Sequence, residues 1–102
     1  MIEKIKKRNG DIVFFNAEKI SDAIRKANLE STDETMTPEV LARLTNKVIQ
    51  SLDKAEIPCV EQIQDVVERT LIMDKFASTA KAYILYRAEH AKIRQSEADL
   101  MD

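Results

Sequence analysis

Nucleophilic and metal chemistry have little to work with in this sequence. It holds one histidine, His90, and one cysteine, Cys59. A Ser-His-Asp arrangement would have to be built on His90, and no Gly-x-Ser-x-Gly elbow is present. A lone His near the end of a helical stretch is ordinarily a surface residue. A lone Cys beside Pro58 is ordinarily a small apolar one. One thiol and one imidazole cannot assemble a transition-metal cluster, and a single cysteine allows no internal disulfide. No catalytic residue and no metal ligand is therefore expected. The paired carboxylates of the middle segment fall at solvent-facing helical spacings and read as solubilising.

Anion binding is the chemistry these residue types can support. Lys6, Lys7 and Arg8 are consecutive, and Lys19 lies one turn into an expected helix whose free N–H groups begin near Asn16. Lysine as a point charge and arginine as a fork can hold phosphates without a glycine-rich loop, which the single glycine could not build. The same Lys-Lys-Arg run also suits an edge strand charged against aggregation. Charge is segregated along the chain. Residues 1–29 balance to +3, residues 30–70 to −5, residues 71–94 to +3 and residues 95–102 to −3, within a net charge of −2. If the fold brings the two basic segments together, they make a local positive surface on an acidic protein. That favours a local anion site over a broad nucleic-acid footprint, which usually accompanies a basic domain.

The elements that must position these cations follow from pattern. At 102 residues the chain is one domain. Hydrophobic residues at 44% and charged residues at 33% argue for a folded domain rather than disorder. One Gly and two Pro are too little turn material for an all-β fold. No apolar run approaches a membrane span, no secretory leader opens the chain, and the cytoplasm is the expected compartment. Asn9-Gly10 between two apolar-basic runs predicts a β-hairpin with a two-residue turn at φ > 0. Its second strand can be buried on both faces, Ile12/Phe14 and Val13/Phe15 pointing opposite ways. Asn16 caps a helix over about residues 17–27 with Ile20, Ala23, Ile24 and Ala27 on one stripe, and Asn28 can end it in the left-handed conformation.

Residues 28–36 read as a polar surface loop. Thr37-Pro38-Glu39 starts a second helix over about 38–52, with Leu41, Leu44, Val48 and Leu52 inward. Ile57-Pro58-Cys59 breaks it and leaves room for a third short strand. Two more helices are expected over about 61–73 and 76–94, the last with small residues Ala77, Ala80, Ala82, Ala88 and Ala91 for close approach. The expected fold is α+β, a small two- to three-stranded sheet capping a four-helix bundle. Residues 1–94 form the domain, and the polar, acidic residues 95–102 read as a linker.

Lys7-Arg8-Asn9-Gly10 followed by Phe15-Asn16-Ala17-Glu18-Lys19-Ile20 resembles the opening of the ATP-cone family. Val60-Glu61-Gln62-Ile63-Gln64-Asp65-Val66-Val67-Glu68 resembles its third-helix signature, and Ala80-Lys81-Ala82-Tyr83-Ile84-Leu85-Tyr86-Arg87 its closing helix. The matches keep the family's order and spacing. Asn9, Val13 and Val60 depart from the family's common Asp, acid and Thr. The resemblance implies a three-stranded sheet over four helices, no catalysis, and binding of ATP or dATP as allosteric effector in a ribonucleotide reductase. The closing helix looks most like the cones of anaerobic, glycyl-radical ribonucleoside-triphosphate reductases. Other reductase classes, or a degenerate cone serving only as an interaction domain, are the alternatives. A related repressor of reductase genes carries a four-cysteine zinc ribbon, which one Cys cannot supply.

By position, the resemblance implies contacts from Ile5, Lys7 and Arg8 on strand one, with Lys7 and Arg8 at phosphates. Asn16, Lys19 and Ile20 would line the pocket from helix one, and Val60 and Gln64 from helix three. Lys81, Tyr86 and Arg87 would close it from helix four. A triphosphate brings Mg²⁺ as companion. Implied partners are the nucleotides, the reductase core and a further copy of the chain, with neither nucleic acid nor membrane. The rivals predict different behaviour: a nucleic-acid module, steep salt dependence; a ligand-free interaction domain, no response to nucleotide.

Overall fold

The hairpin forms where Asn9-Gly10 places it but closes differently. In the computed structural model, β1 (Lys4–Lys6) pairs antiparallel with β2 (Ile12–Phe14), Ile5 opposite Val13. The structure describes residues 2–31, 33–53 and 57–101, with side chains as far as residue 92. The Lys7 N–H donates to the Asp11 carbonyl at 2.7 Å, and the Gly10 N–H to the Lys7 carbonyl at 3.0 Å. The loop is therefore three residues, Arg8-Asn9-Gly10, and within it only Gly10, φ 93°, is left-handed. This is the turn-plus-bulge closure rather than the expected two-residue turn. Asn9 keeps a negative φ because its side chain closes the loop. Its Oδ1 accepts the Asp11 N–H at 3.0 Å and its Nδ2 donates to the Asp11 carboxylate at 3.0 Å.

β2 is not buried. Ile12, Val13 and Phe14 are 54%, 37% and 80% exposed. β2 lies outside the core, and the hairpin is anchored through β1 and its base, where Ile2 is buried and Ile5 and Phe15 pack on the core. The expected third strand reduces to one residue. The Lys6 N–H donates to the Pro58 carbonyl at 3.0 Å, and Lys6 and Cys59 form a single parallel bridge.

Four helices follow: α1 (Ala17–Glu30), α2 (Pro38–Leu52), α3 (Val60–Met73) and α4 (Ala77–Met101). Asn16 Oδ1 accepts the Glu18 N–H at 3.0 Å and Thr37 Oγ1 the Val40 N–H at 3.2 Å, so both expected caps form. α1 packs on α2 and α4, and α3 on the same two. Ile24, Leu44, Val48 and Leu71 are fully enclosed in the core between them. On α4, Ala80 is buried and Ala82 half-buried, whereas Ala77, Ala88 and Ala91 are exposed and make no close approach. α4 also runs past 94 through the stretch expected as a linker.

α1 does not end at Asn28. The Asn28 side chain is drawn inward, donating to the Glu34 carbonyl and to Thr79 Oγ1, each at 3.1 Å, and the helix continues to Glu30. The 28–36 segment is accordingly more than a surface loop. Glu34 Oε1 accepts the Thr79 N–H at 2.8 Å and the Thr79 hydroxyl at 2.9 Å, and Asp33 accepts from Ser78 at 3.0 Å. Two carboxylates thus sit at the positive end of α4, where a first-turn anion is favoured. Thr79 is fully buried, so loss of its partner strands a hydroxyl and an amide.

α3 ends in a Schellman closure, with Phe76 N–H to the Leu71 carbonyl at 2.8 Å and Lys75 N–H to the Ile72 carbonyl at 3.1 Å. Lys75 occupies the left-handed position, φ 69°, usually given to glycine. In urea titration, Glu34→Ala is expected to cost about 2 kcal/mol through the lost charge-assisted cap. In the same assay Lys75→Gly is expected to stabilise by about 1 kcal/mol by relieving the left-handed strain.

Candidate functional site

The parallel bridge at Lys6 sets the hairpin loop over the first turn of α3. Arg8 reaches across as a fork: Nη1 meets Glu61 Oε1 at 2.8 Å, and Nη2 donates to Gln64 Oε1 at 3.0 Å. Val60, the first residue of α3, is half-buried beside this contact. Cys59 precedes it, its N–H bonded to Gln62 Oε1 at 2.9 Å, which satisfies one of the free donors of the helix start. Arg8, Gln64 and Val60 are thus gathered in one place.

A turn and more further along α3, Arg87 of α4 binds Asp65 and Glu68, both at 2.8 Å. Burial works against its charge, but the hydrogen bonds it donates to the two carboxylates outweigh that and hold its pKa above the ordinary value. Tyr83, one turn earlier, is 5% exposed. Burial pushes its phenol up to about 12, opposed by the nearby Arg87 charge. Tyr86 is exposed, and its ring lies 4.1 Å from that of His90, centroid to centroid. His90 is a surface residue as expected.

The remaining expected residues divide. Lys7 and Lys19 are exposed, one on the hairpin and one on the first turn of α1, with Asn16 capping between them in sequence. Ile5 is half-buried and packs on the core. Ile20 is buried within the core, so it supports α1 from behind rather than offering a surface. Lys81 is exposed, two residues from buried Tyr83 and hence on the opposite side of α4. The open groove between α2 and α3 lies at the far end of α3, and its Lys47 is neutralised by Asp74 at 2.8 Å.

The acids that pattern reading set aside as solubilising are therefore working partners. Glu61, Asp65 and Glu68 fall at i, i+4 and i+7, one stripe of α3. Both basic segments converge on that stripe, Arg8 from the hairpin and Arg87 from α4. The spacing was visible in the sequence, but not which helix face would meet the cations. Among the described residues no group of three or more His, Cys, Asp or Glu could hold a metal ion.

Fold and site together define a small α+β module in which a hairpin cation and an α4 cation meet one acidic stripe of α3. The chain belongs to the ATP-cone family, whose model, the ATP cone domain, matches residues 3–92. ATP cones are nucleotide-binding regulatory domains. The chain is 42% identical, over 99% of its length, to the vitamin B12-dependent ribonucleoside-diphosphate reductase of Thermoplasma acidophilum. It is 38% identical, over 91% of its length, to the ribonucleoside-diphosphate reductase subunit alpha of Chlamydia muridarum. A vitamin B12-dependent ribonucleoside-diphosphate reductase of Mycobacterium tuberculosis is 30% identical over 93% of the chain. The chain spans only 13%, 10% and 13% of these relatives' own lengths. They are diphosphate reductases, so the likeness of the closing helix to the anaerobic triphosphate enzymes does not carry over. No helix among the described residues is long and apolar enough to cross a membrane.

The buried phenol has a measurable signature. Ultraviolet titration is expected to show one of the two tyrosines ionising only near pH 12. Because the folded pKa lies above the unfolded one, the protonated phenol contributes stability that is fully present below pH 10.0 and is lost as pH rises toward about 12. Tyr83→Phe should flatten that alkaline loss in melting experiments.

Proposed function

We propose that this chain binds ATP and dATP and regulates the overall activity of a ribonucleoside-diphosphate reductase in the cytoplasm, without chemistry of its own. The observation that carries this reading is the convergence of the hairpin loop on the start of α3, with Arg8 held between Glu61 and Gln64. Family membership and the reductase relatives support it. On this reading Lys7, Arg8 and Lys19 meet the phosphates, with Asn16 near the free N–H end of α1. Val60, Gln64, Tyr86 and Arg87 border the remainder of the nucleotide, and Ile5 and Ile20 support it. Lys81 contributes at most from the rim. Mg²⁺ accompanies the triphosphate on its own oxygens. The domain is 1–94, and residues 95–102, which α4 enters as far as Met101, lead toward the catalytic core.

The ligand acts by differential affinity for two states of the domain or of its assembly, and these bias the attached core between active and inhibited forms. Self-association is one way to transmit that bias. Calorimetric titration with ATP, dATP, GTP and CTP in Mg²⁺ tests the reading. Micromolar or tighter binding of the adenine nucleotides is expected, weakened at least about tenfold in Lys7→Ala and Lys19→Ala, since each removes a charge-assisted phosphate contact. Absence of heat with folded protein, or equal weak heat for all four nucleotides, would sink it and leave an interaction domain.

A further inference from the structure

We propose that Glu61 is an internal competitor for Arg8, so that a phosphate-bearing ligand enters by displacing one anion from the guanidinium rather than by meeting a free cation. This rests on the nucleotide reading above. The geometry has three parts. Glu61 occupies one nitrogen of the fork at 2.8 Å and Gln64 the other at 3.0 Å. The Glu61 side chain is 43% exposed and that of Arg8 33%, so both stay open to solvent and to ligand. Arg8 lies on the three-residue hairpin loop, so whatever holds it also holds the loop against α3.

The two holders differ in kind. Gln64 is neutral and positions the guanidinium without satisfying its charge. Glu61 satisfies the charge, but an exposed pair of this type is weak and readily exchanged. A triphosphate brings several negative charges and enough oxygens to engage both nitrogens of the fork, of which Glu61 meets only one. Lys6 and Lys7 beside Arg8 favour the incoming anion. Asp65, the next acid along α3, is already engaged by Arg87 at 2.8 Å and does not compete for Arg8. Glu61 therefore sets a threshold: it keeps the loop docked in the absence of ligand and lowers the affinity for the ligand that replaces it.

The test is calorimetric titration of the chain with ATP, with and without Mg²⁺, comparing wild type, Glu61→Gln, Arg8→Ala and the double variant, with thermal melts to confirm folding. Glu61→Gln is expected to bind about threefold to tenfold more tightly at low salt, the scale of one exposed ion pair. The gain should shrink to less than about twofold in the Arg8→Ala background, since the effect is routed through Arg8. It should also fade as salt screens the pair. Unchanged or weaker binding by Glu61→Gln, with wild type binding normally, overturns the competition and leaves the nucleotide reading standing. Weaker binding seen only with Mg²⁺ would instead make Glu61 a metal ligand, and also overturns it. No ATP binding by folded wild type removes the nucleotide reading and this inference together.

Discussion

The backbone contact at Lys6 joins the sheet to the segment that starts α3, and the candidate site depends on it. An isolated two-stranded hairpin is barely stable in water, and this one buries none of β2. Its position depends on the base residues Ile2, Ile5 and Phe15 and on the Lys6 N–H bond to the Pro58 carbonyl. Proline 58 is suited to that task. It ends any helical path before α3, holds the preceding residue extended, and is itself buried. With the bridge at Lys6, the next two residues of the hairpin fall over the first turn of α3. Arg8 then has Glu61 and Gln64 within hydrogen-bonding reach without any further element to steer it.

Electrostatics does the second half of the assembly. Taken segment by segment, the charges suggest two basic patches awaiting an external anion. In the fold, both patches first meet an internal one, the Glu61-Asp65-Glu68 stripe of α3. The two pairings are not equivalent. Arg87 is bound by two carboxylates and is 23% exposed, so taking it away would leave the partly buried Glu68 and the more open Asp65 unmatched. Arg8 is bound by one carboxylate and one amide, more openly. Arg87 accordingly fastens α4 to α3, and Arg8 is the cation free enough to change partners.

Much of this fold was legible because local signals and packing agreed. Thr37-Pro38 fixed the start of α2, Asn16 the start of α1, and the apolar stripes identified the buried positions of α1 to α3. The misreadings share a cause: side chains chose partners distant in sequence. Asn28 suits a helix end, but a buried Thr79 51 positions away captures its amide, and the helix runs on. The acidic 28–36 segment looks like a solvated loop until α4 arrives with unpaired N–H groups. Asn9-Gly10 signals a tight turn correctly, yet Asn9 pairs with Asp11 and leaves Gly10 alone to take the positive φ. The alternation of β2 implied two buried faces because pattern alone cannot tell a strand inside a sheet from one projecting beyond it. At the site, the resemblance supplied Arg8, Gln64 and Arg87, whereas Glu61 and Asp65 passed as ordinary surface acids.

The exchange proposed at Arg8 bears on how a nucleotide would act as a switch. ATP and dATP differ by one hydroxyl, and one hydrogen bond is worth about 0.5–1.5 kcal/mol net, roughly a factor of two to ten. Moving an equilibrium from mostly one state to mostly the other takes about 5.5 kcal/mol of differential affinity. A single domain that merely counted that hydroxyl would tilt its parent, not switch it. The missing energy must come from contacts that reorganise when the two ligands sit differently, or from several domains adding their bias to one transition. A weak ion pair between the hairpin loop and α3 suits the first route, because its remaking moves a whole element for little cost. The firmer pairing of Arg87 is what lets the bundle stay intact while that happens.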